Sequence, residues 1–155
     1  MNSYMVEYRA KGGEKVRRQI NILLEGYDID ADYLYNDLKE YIKPNNTVAV
    51  IDFSFRDSDI QSADDWYKFY GKENSFYYHG IVDSFKKYGI TEKQISFINY
   101  FTDSLKTAVE KIKNADILYF LGGLPDKMME RIKEFGIYDV ILQHKGIIMG
   151  SAPVL

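Results

Sequence analysis

Cysteine is absent from this 155-residue chain. That absence excludes disulfides, thiolate metal sites and a cysteine nucleophile. No apolar run approaches the roughly 18 residues of a transmembrane helix, and the N-terminus carries no apolar signal core. A soluble, cytoplasmic protein is the expectation. Charge of one sign is scarce as well. The 20 Lys and Arg against 23 Asp and Glu leave a net charge of −3, so neither nucleic acid nor an anionic membrane is favoured as a partner. Histidine occurs only at His79 and His144. No cofactor or metal is expected.

The chain does have ample material for a core. An apolar fraction of 46% and a charged fraction of 28% match an ordinary globular domain. Fourteen Tyr and nine Phe supply more apolar area than a disordered segment would carry. The length suits one domain, and neither an internal repeat nor a linker divides it. Residues 1–18 are polar, with net charge +3 from Arg9, Lys11, Lys15, Arg17 and Arg18 against Glu7 and Glu14. They read as a polar extension or a hairpin lead-in, with the domain spanning 19–155.

From residue 19 onward strands and helices alternate. Strands are predicted over Gln19–Glu25, Thr47–Phe53, Gln94–Tyr100, Asp116–Leu121 and Gly146–Met149. Helices are predicted over Asp30–Ile42, Ala63–Tyr70, Phe76–Tyr88, Asp103–Lys113 and Pro125–Phe135, with a short turn at Ile137–Leu142. Asp30 is a candidate N-cap, Gly89 a candidate helix C′ residue, and Pro125 suits a first turn. Near-continuous apolar strands separated by helices argue a mainly parallel sheet flanked by helices. In such folds ligands gather beyond the carboxyl ends of the strands. The loops after Phe53, Leu121 and Met149 therefore draw attention.

Two of these loops carry chemistry. Gly122-Gly123 before the Pro125 helix lets backbone approach a ligand, and the helix N-terminus favours negative charge. Gly150-Ser151-Ala152 is a small-residue turn after an apolar strand, the setting of a nucleophilic serine. The amide of Ala152 could donate to an oxyanion, whereas Pro153 has no N–H. The acids Asp52, Asp57 and Asp59 match no compact ligand spacing and read as a solvated loop. Trp66, Tyr67, Phe69, Tyr70, Phe76, Tyr77 and Tyr78 form an aromatic cluster read mainly as packing. His79 and His144 read as surface or packing residues, and neither forms a triad with Ser151 by spacing.

The stretch Asp116–Ala152, DILYFLGGLPDKMMERIKEFGIYDVILQHKGIIMGSA, resembles the dipeptidase E (aspartyl dipeptidase) family of serine peptidases, within the class I glutamine amidotransferase-like superfamily. NILLEGY, YIKPNNTVAVIDFS and KKYGITEKQISFINYF are similar more loosely to the family's first three strands. The resemblance implies a flavodoxin-like three-layer α/β/α sandwich. It also implies a nucleophile at Ser151, oxyanion donors in the amides of Gly122, Gly123 and Ala152, and a short peptide as substrate. The base would be a histidine downstream of the serine.

The departures from that pattern are specific. The family elbow reads roughly Gly-x-Ser-Ala-Gly-Ala. Here Gly150 directly precedes Ser151, Pro153-Val154 stands in place of Gly-Ala, and Leu124 stands where Asn is common. The expectation is an N-terminal, truncated portion of such a domain, inactive by itself. An exposed apolar sheet edge would then bring marginal stability or association, with a homodimer as the candidate assembly. The alternative is a non-catalytic binding or structural domain of the same fold. A receiver-like module using Asp52 is a third reading, for which Glu25 and Asp28 supply a poor acid pair.

Overall fold

The computed structural model describes residues 4–8, 19–73 and 75–151. The strands are β1 (Tyr4–Tyr8), β2 (Gln19–Leu24), β3 (Val48–Ile51), β4 (Ile95–Ile98), β5 (Ile117–Phe120) and β6 (Ile147–Ser151). The helices are α1 (Asp32–Leu38), α2 (Ala63–Tyr70), α3 (Phe76–Lys86), α4 (Leu105–Asn114), α5 (Pro125–Phe135) and α6 (Tyr138–Leu142).

One six-stranded sheet has the order β1-β2-β6-β5-β3-β4. Five neighbouring strands run parallel, and β1 closes one edge antiparallel to β2, with Tyr4 opposite Leu23 and Tyr8 opposite Gln19. Part of the polar segment 1–18 is thus a strand of the sheet, while residues 9–18 lie outside the described residues.

Strand periodicity builds the layers. Successive side chains point to opposite faces. Val48, Val50, Ile117, Tyr119, Leu121 and Met149 pack on one face against Leu34, Leu38, Trp66, Tyr70, Ile81 and Phe85. Ala49, Ile51, Leu118 and Phe120 pack on the other against Ala108, Ile112, Met128 and Ile132. Helices therefore cover both faces, α1 to α3 on the first and α4 to α6 on the second. The result is the mainly parallel, helix-flanked sheet that the sequence pattern predicts, in the three-layer α/β/α sandwich that the resemblance implies. Each fully buried Val, Leu, Ile or Phe contributes about 1.5–3 kcal/mol.

One local expectation is corrected, and the sheet edge is located. The first helix starts at Asp32 rather than Asp30. Its N-cap is Ala31, whose side chain makes no capping bond. After Leu38 the chain tightens into a turn, in which the amides of Tyr41 and Ile42 both donate to the Leu38 carbonyl. Leu34, Leu38 and Ile42 keep the buried stripe even so. The second point concerns the position of the last described strand. β6 is the last strand in sequence but lies inside the sheet, paired with β2 on one side and β5 on the other. Among the described residues the free edges belong to β1 and β4, and the apolar edge is that of β4 (Ile95–Ile98).

Candidate functional site

The carboxyl ends of β3, β5 and β6 carry the residues of interest. Ser54, just past β3, stitches two of the loops together. Its hydroxyl donates to the carbonyls of Leu121 (2.8 Å) and Gly122 (3.0 Å), and its carbonyl accepts from the Leu124 amide at 2.8 Å. Gly123 lies so close that a Cβ there would sit 2.5 Å from the Ser54 carbonyl oxygen. A glycine is required at this point by close approach of two backbones. The Gly122 amide donates to the hydroxyl of Tyr27 at 3.1 Å. One of the amides expected in an oxyanion hole therefore already has an acceptor.

Ser151 ends β6. It is opposite Leu24 on one side, and Phe120 lies opposite Gly150 on the other. Gly150 and Phe120 are the last pair of that register, so Ser151 and Leu121 each stand one residue beyond it, at the carboxyl end where the Gly122-Gly123 loop begins. The expected convergence of serine and Gly-Gly loop is present. The expected sharp turn at Gly150-Ser151 is not: both residues belong to β6, held by pairing with two neighbours. No non-glycine residue among those described has a positive φ, so Ser151 has none of the strained backbone of a nucleophile elbow. Ala152 lies outside the described residues.

The Ser151 side chain is 1% exposed, and its Oγ has no hydrogen-bond partner among the described residues. Tyr119 Oη is likewise buried and unpartnered. Burial pushes the Tyr119 phenol well up, and the neighbouring Ser151 hydroxyl opposes that shift. The two hydroxyls are thus adjacent on one face of the sheet but outside hydrogen-bonding geometry.

Neither histidine serves Ser151. His144 precedes β6, at the end opposite Ser151, and its Nε2 lies 2.7 Å from the Ala115 carbonyl. His79 is exposed on the first turn of α3, its ring against Tyr78.

The acid loop differs from expectation. Asp57 and Asp59 are exposed, but Asp52 is fully buried, so the reading of a solvated loop fails there. The alternation of Val48 and Val50 continues to Asp52, which turns its carboxyl toward the face covered by α2. Burial holds that carboxyl well above the usual carboxylate range. Sequence reasoning also missed Arg131, which is 5% exposed on the inner face of α5. Its Nη1 donates to the carbonyls of Phe53 (2.7 Å) and Phe55 (2.6 Å), its Nη2 to Asp57 (2.7 Å). The guanidinium stacks 3.8 Å above the Phe55 ring. Arg131 thereby pins the loop after β3. Its position three residues after Met128, on the helix's apolar stripe, is the signal that could have found it.

The aromatic cluster divides in two. Trp66 and Tyr70 are buried in the core, while Tyr67 and Tyr77 are exposed. Tyr77 meets Tyr27 edge-to-face at 6.2 Å. A cleft of about 360 Å³ opens there, lined by Tyr27, Asp28, Asp30, Tyr77, Gly80 and Ile81. Through Tyr27 it adjoins the Gly122 amide.

This arrangement of sheet and loops has solved counterparts. A peptidase E-type protein from Listeria monocytogenes EGD-e superimposes with a TM-score of 0.59 at 18% sequence identity, covering 84% of this chain and 57% of that one. A peptidase from an acI-B1 Actinobacterium gives a TM-score of 0.54 at 14% identity, covering 84% of this chain and 52% of that one. The chain therefore has the fold of peptidase E-type proteins and spans just over half the length of these two structures. No family model matches it, and no curated protein does. Among the described residues no helix is long and apolar enough to cross a membrane.

Proposed function

We propose that this chain carries the nucleophile-bearing portion of a serine-type hydrolase that cleaves short peptides. Ser151 is the nucleophile, and backbone amides of Gly123, Ala152 and, once Tyr27 moves aside, Gly122 stabilise the oxyanion. The observation that supports the reading is a buried, unpartnered serine hydroxyl at the carboxyl end of β6, whose neighbour strand β5 leads into the Gly-Gly loop. Support comes also from the fold shared with proteins described as peptidases.

Attack by Ser151 on a peptide carbonyl needs a base to take the hydroxyl proton. With His144 at the far end of β6 and His79 on the surface of α3, the base is a residue beyond those described. The 155-residue chain by itself is therefore expected to be inactive toward short peptides. A longer form, with sequence after Leu155 that supplies a histidine, is expected to hydrolyse them and to lose that activity in Ser151→Ala. An extended form without serine-dependent hydrolysis would overturn the proposal.

A second reading is a binding or structural domain of the same fold with the chemistry removed. It is favoured by the unstrained backbone of Ser151 and by the occupied Gly122 amide. A fluorophosphonate probe separates the two readings. Labelling of the extended form at Ser151 eliminates the second, and lack of labelling supports it.

A further inference from the structure

At the carboxyl end of β3, Ile51 pairs with Ile98 of β4, so the next residues, Asp52 and Asn99, are neighbours on the face covered by α2. The indole of Trp66, from α2, lies beside Asp52 but outside hydrogen-bonding geometry. The setting does not suit a charge. Both Asp52 oxygens, Trp66 Nε1 and Asn99 Nδ2 are buried without a hydrogen-bond partner. Arg131, on α5 across the sheet, is near enough to favour the charge but commits its guanidinium to Phe53, Phe55 and Asp57. Asp103, beyond β4, adds a like charge and is itself tied to Lys111 at 2.9 Å. Tyr70, from α2, faces Asp52 with a phenol held neutral by burial. A buried carboxylate left without a compensating bond or ion pair costs several kcal/mol, and a proton removes that cost.

We propose that the buried, unpartnered Asp52 carboxyl and the Trp66 indole beside it latch α2 onto the sheet, and that ionisation of Asp52 loosens α2. The acid and the indole form a proton-operated latch. When Asp52 loses its proton, the carboxylate draws water, and the covering helix is the element that gives way. Because α2 hangs between the loop after β3 and Gly71, it can shift without breaking a strand pair. The inference does not depend on Ser151 being a nucleophile.

The sign of the linkage is fixed by burial. Between the unfolded carboxyl value, about 3.9, and the raised folded value, the folded chain binds more protons than the unfolded one. Stability is then full below about pH 4 and falls as pH rises. Trp66 is the only tryptophan in the sequence, so its fluorescence reports on the latch alone.

The test uses the full chain. Infrared difference spectra at neutral pH should show a protonated-carboxyl band that Asp52→Asn removes. Raising the pH should red-shift Trp66 emission and increase its quenching by acrylamide before global unfolding. Asp52→Asn and Asp52→Leu should both abolish that pH dependence. Asp52→Leu should raise the melting temperature at neutral pH, with the gap closing toward about pH 4. The proposal is overturned if the carboxyl band is missing in the wild type, or if Trp66 follows the same pH profile with and without Asp52. Should a variant fail to fold, the infrared band and the Trp66 profile of the wild type still decide.

Discussion

The hydroxyl of Tyr27 and the amide of Gly122 are joined by a 3.1 Å hydrogen bond across 95 residues of sequence. This one contact ties the loop after β2 to the loop after β5 and takes up a donor that an oxyanion would need. Tyr27→Phe is expected to destabilise the fold by about 1 kcal/mol, read as a lower melting temperature. In a form competent for hydrolysis it should also speed fluorophosphonate labelling of Ser151, because the Gly122 amide is released. Unchanged labelling would show that Gly122 contributes no donor.

Two glycines should respond to alanine in opposite directions. At Gly123 the added Cβ meets the Ser54 carbonyl at 2.5 Å, with φ +157°. The loss should exceed about 1 kcal/mol, seen in chemical denaturation. Gly80 lies inside α3, where an added methyl would meet nothing within 4 Å. Gly80→Ala should stabilise by about 0.5–1 kcal/mol through helix propensity.

Arg131 holds the loop after β3 through two carbonyls and Asp57. Arg131→Ala leaves the Phe53 and Phe55 carbonyls without their donor and removes the stack on Phe55. A cost of about 2–4 kcal/mol is expected. Arg131→Lys should recover only part of it, since an ammonium lacks the planar fork. Denaturant midpoints of the two variants test this ranking.

Acid sensitivity should arise in part at Asp103. Burial raises its carboxyl, but bonds from Lys111, the Asn99 amide and Thr107 outweigh that and hold it below the ordinary value. Its contribution is present above the unfolded carboxyl value and is lost as pH falls through the lower, folded one. Asp103→Asn should therefore flatten the acid limb of the stability profile, the reverse of the slope expected from Asp52. Melting temperatures from neutral to acid pH would show it.

Removing the Ser151 hydroxyl should be nearly neutral for the fold. Its Oγ is buried and makes no bond among the described residues, so Ser151→Ala removes an unsatisfied polar atom. A change within about 0.5 kcal/mol, or a gain, is expected. A large loss would reveal a structural bond.

The sequence is most legible where one element is governed by its own period. α2 and α5 begin and end at the predicted residues, because Ser62 caps one through the Asp65 amide and Pro125 opens the other. The first four predicted strands fall in place but are one or two residues shorter at an end, since the apolar run outlasts the pairing, whereas β6 runs two residues past the predicted Met149 to Ser151. Positions decided by a partner element are not legible. Asp52 reads as the start of a polar loop until β4 and α2 are set around it. Arg131 draws no attention in the sequence, because the carbonyls of Phe53 and Phe55 that bind it are brought beneath α5 only by the fold. The nearness of Ser151 to the Gly-Gly loop follows from strand order, but its extended backbone depends on β2, more than a hundred residues earlier.

The central position of β6 has a consequence for how the molecule assembles. β1 and β2 join the other strands of the sheet through the pairs of β2 and β6 that run from Ile20 with Ile147 to Leu24 with Ser151. Before β6 inserts, the sheet exists as two separate pieces, an antiparallel hairpin and the trio β5-β3-β4. Insertion closes the longest loop in the chain and is expected to be the slow step. The strand that carries the candidate nucleophile is thus also the keystone of the sheet. A change that weakens β6 would release the hairpin as a unit, and hydrogen exchange in β1 and β2 would rise together while β3 and β4 stayed protected.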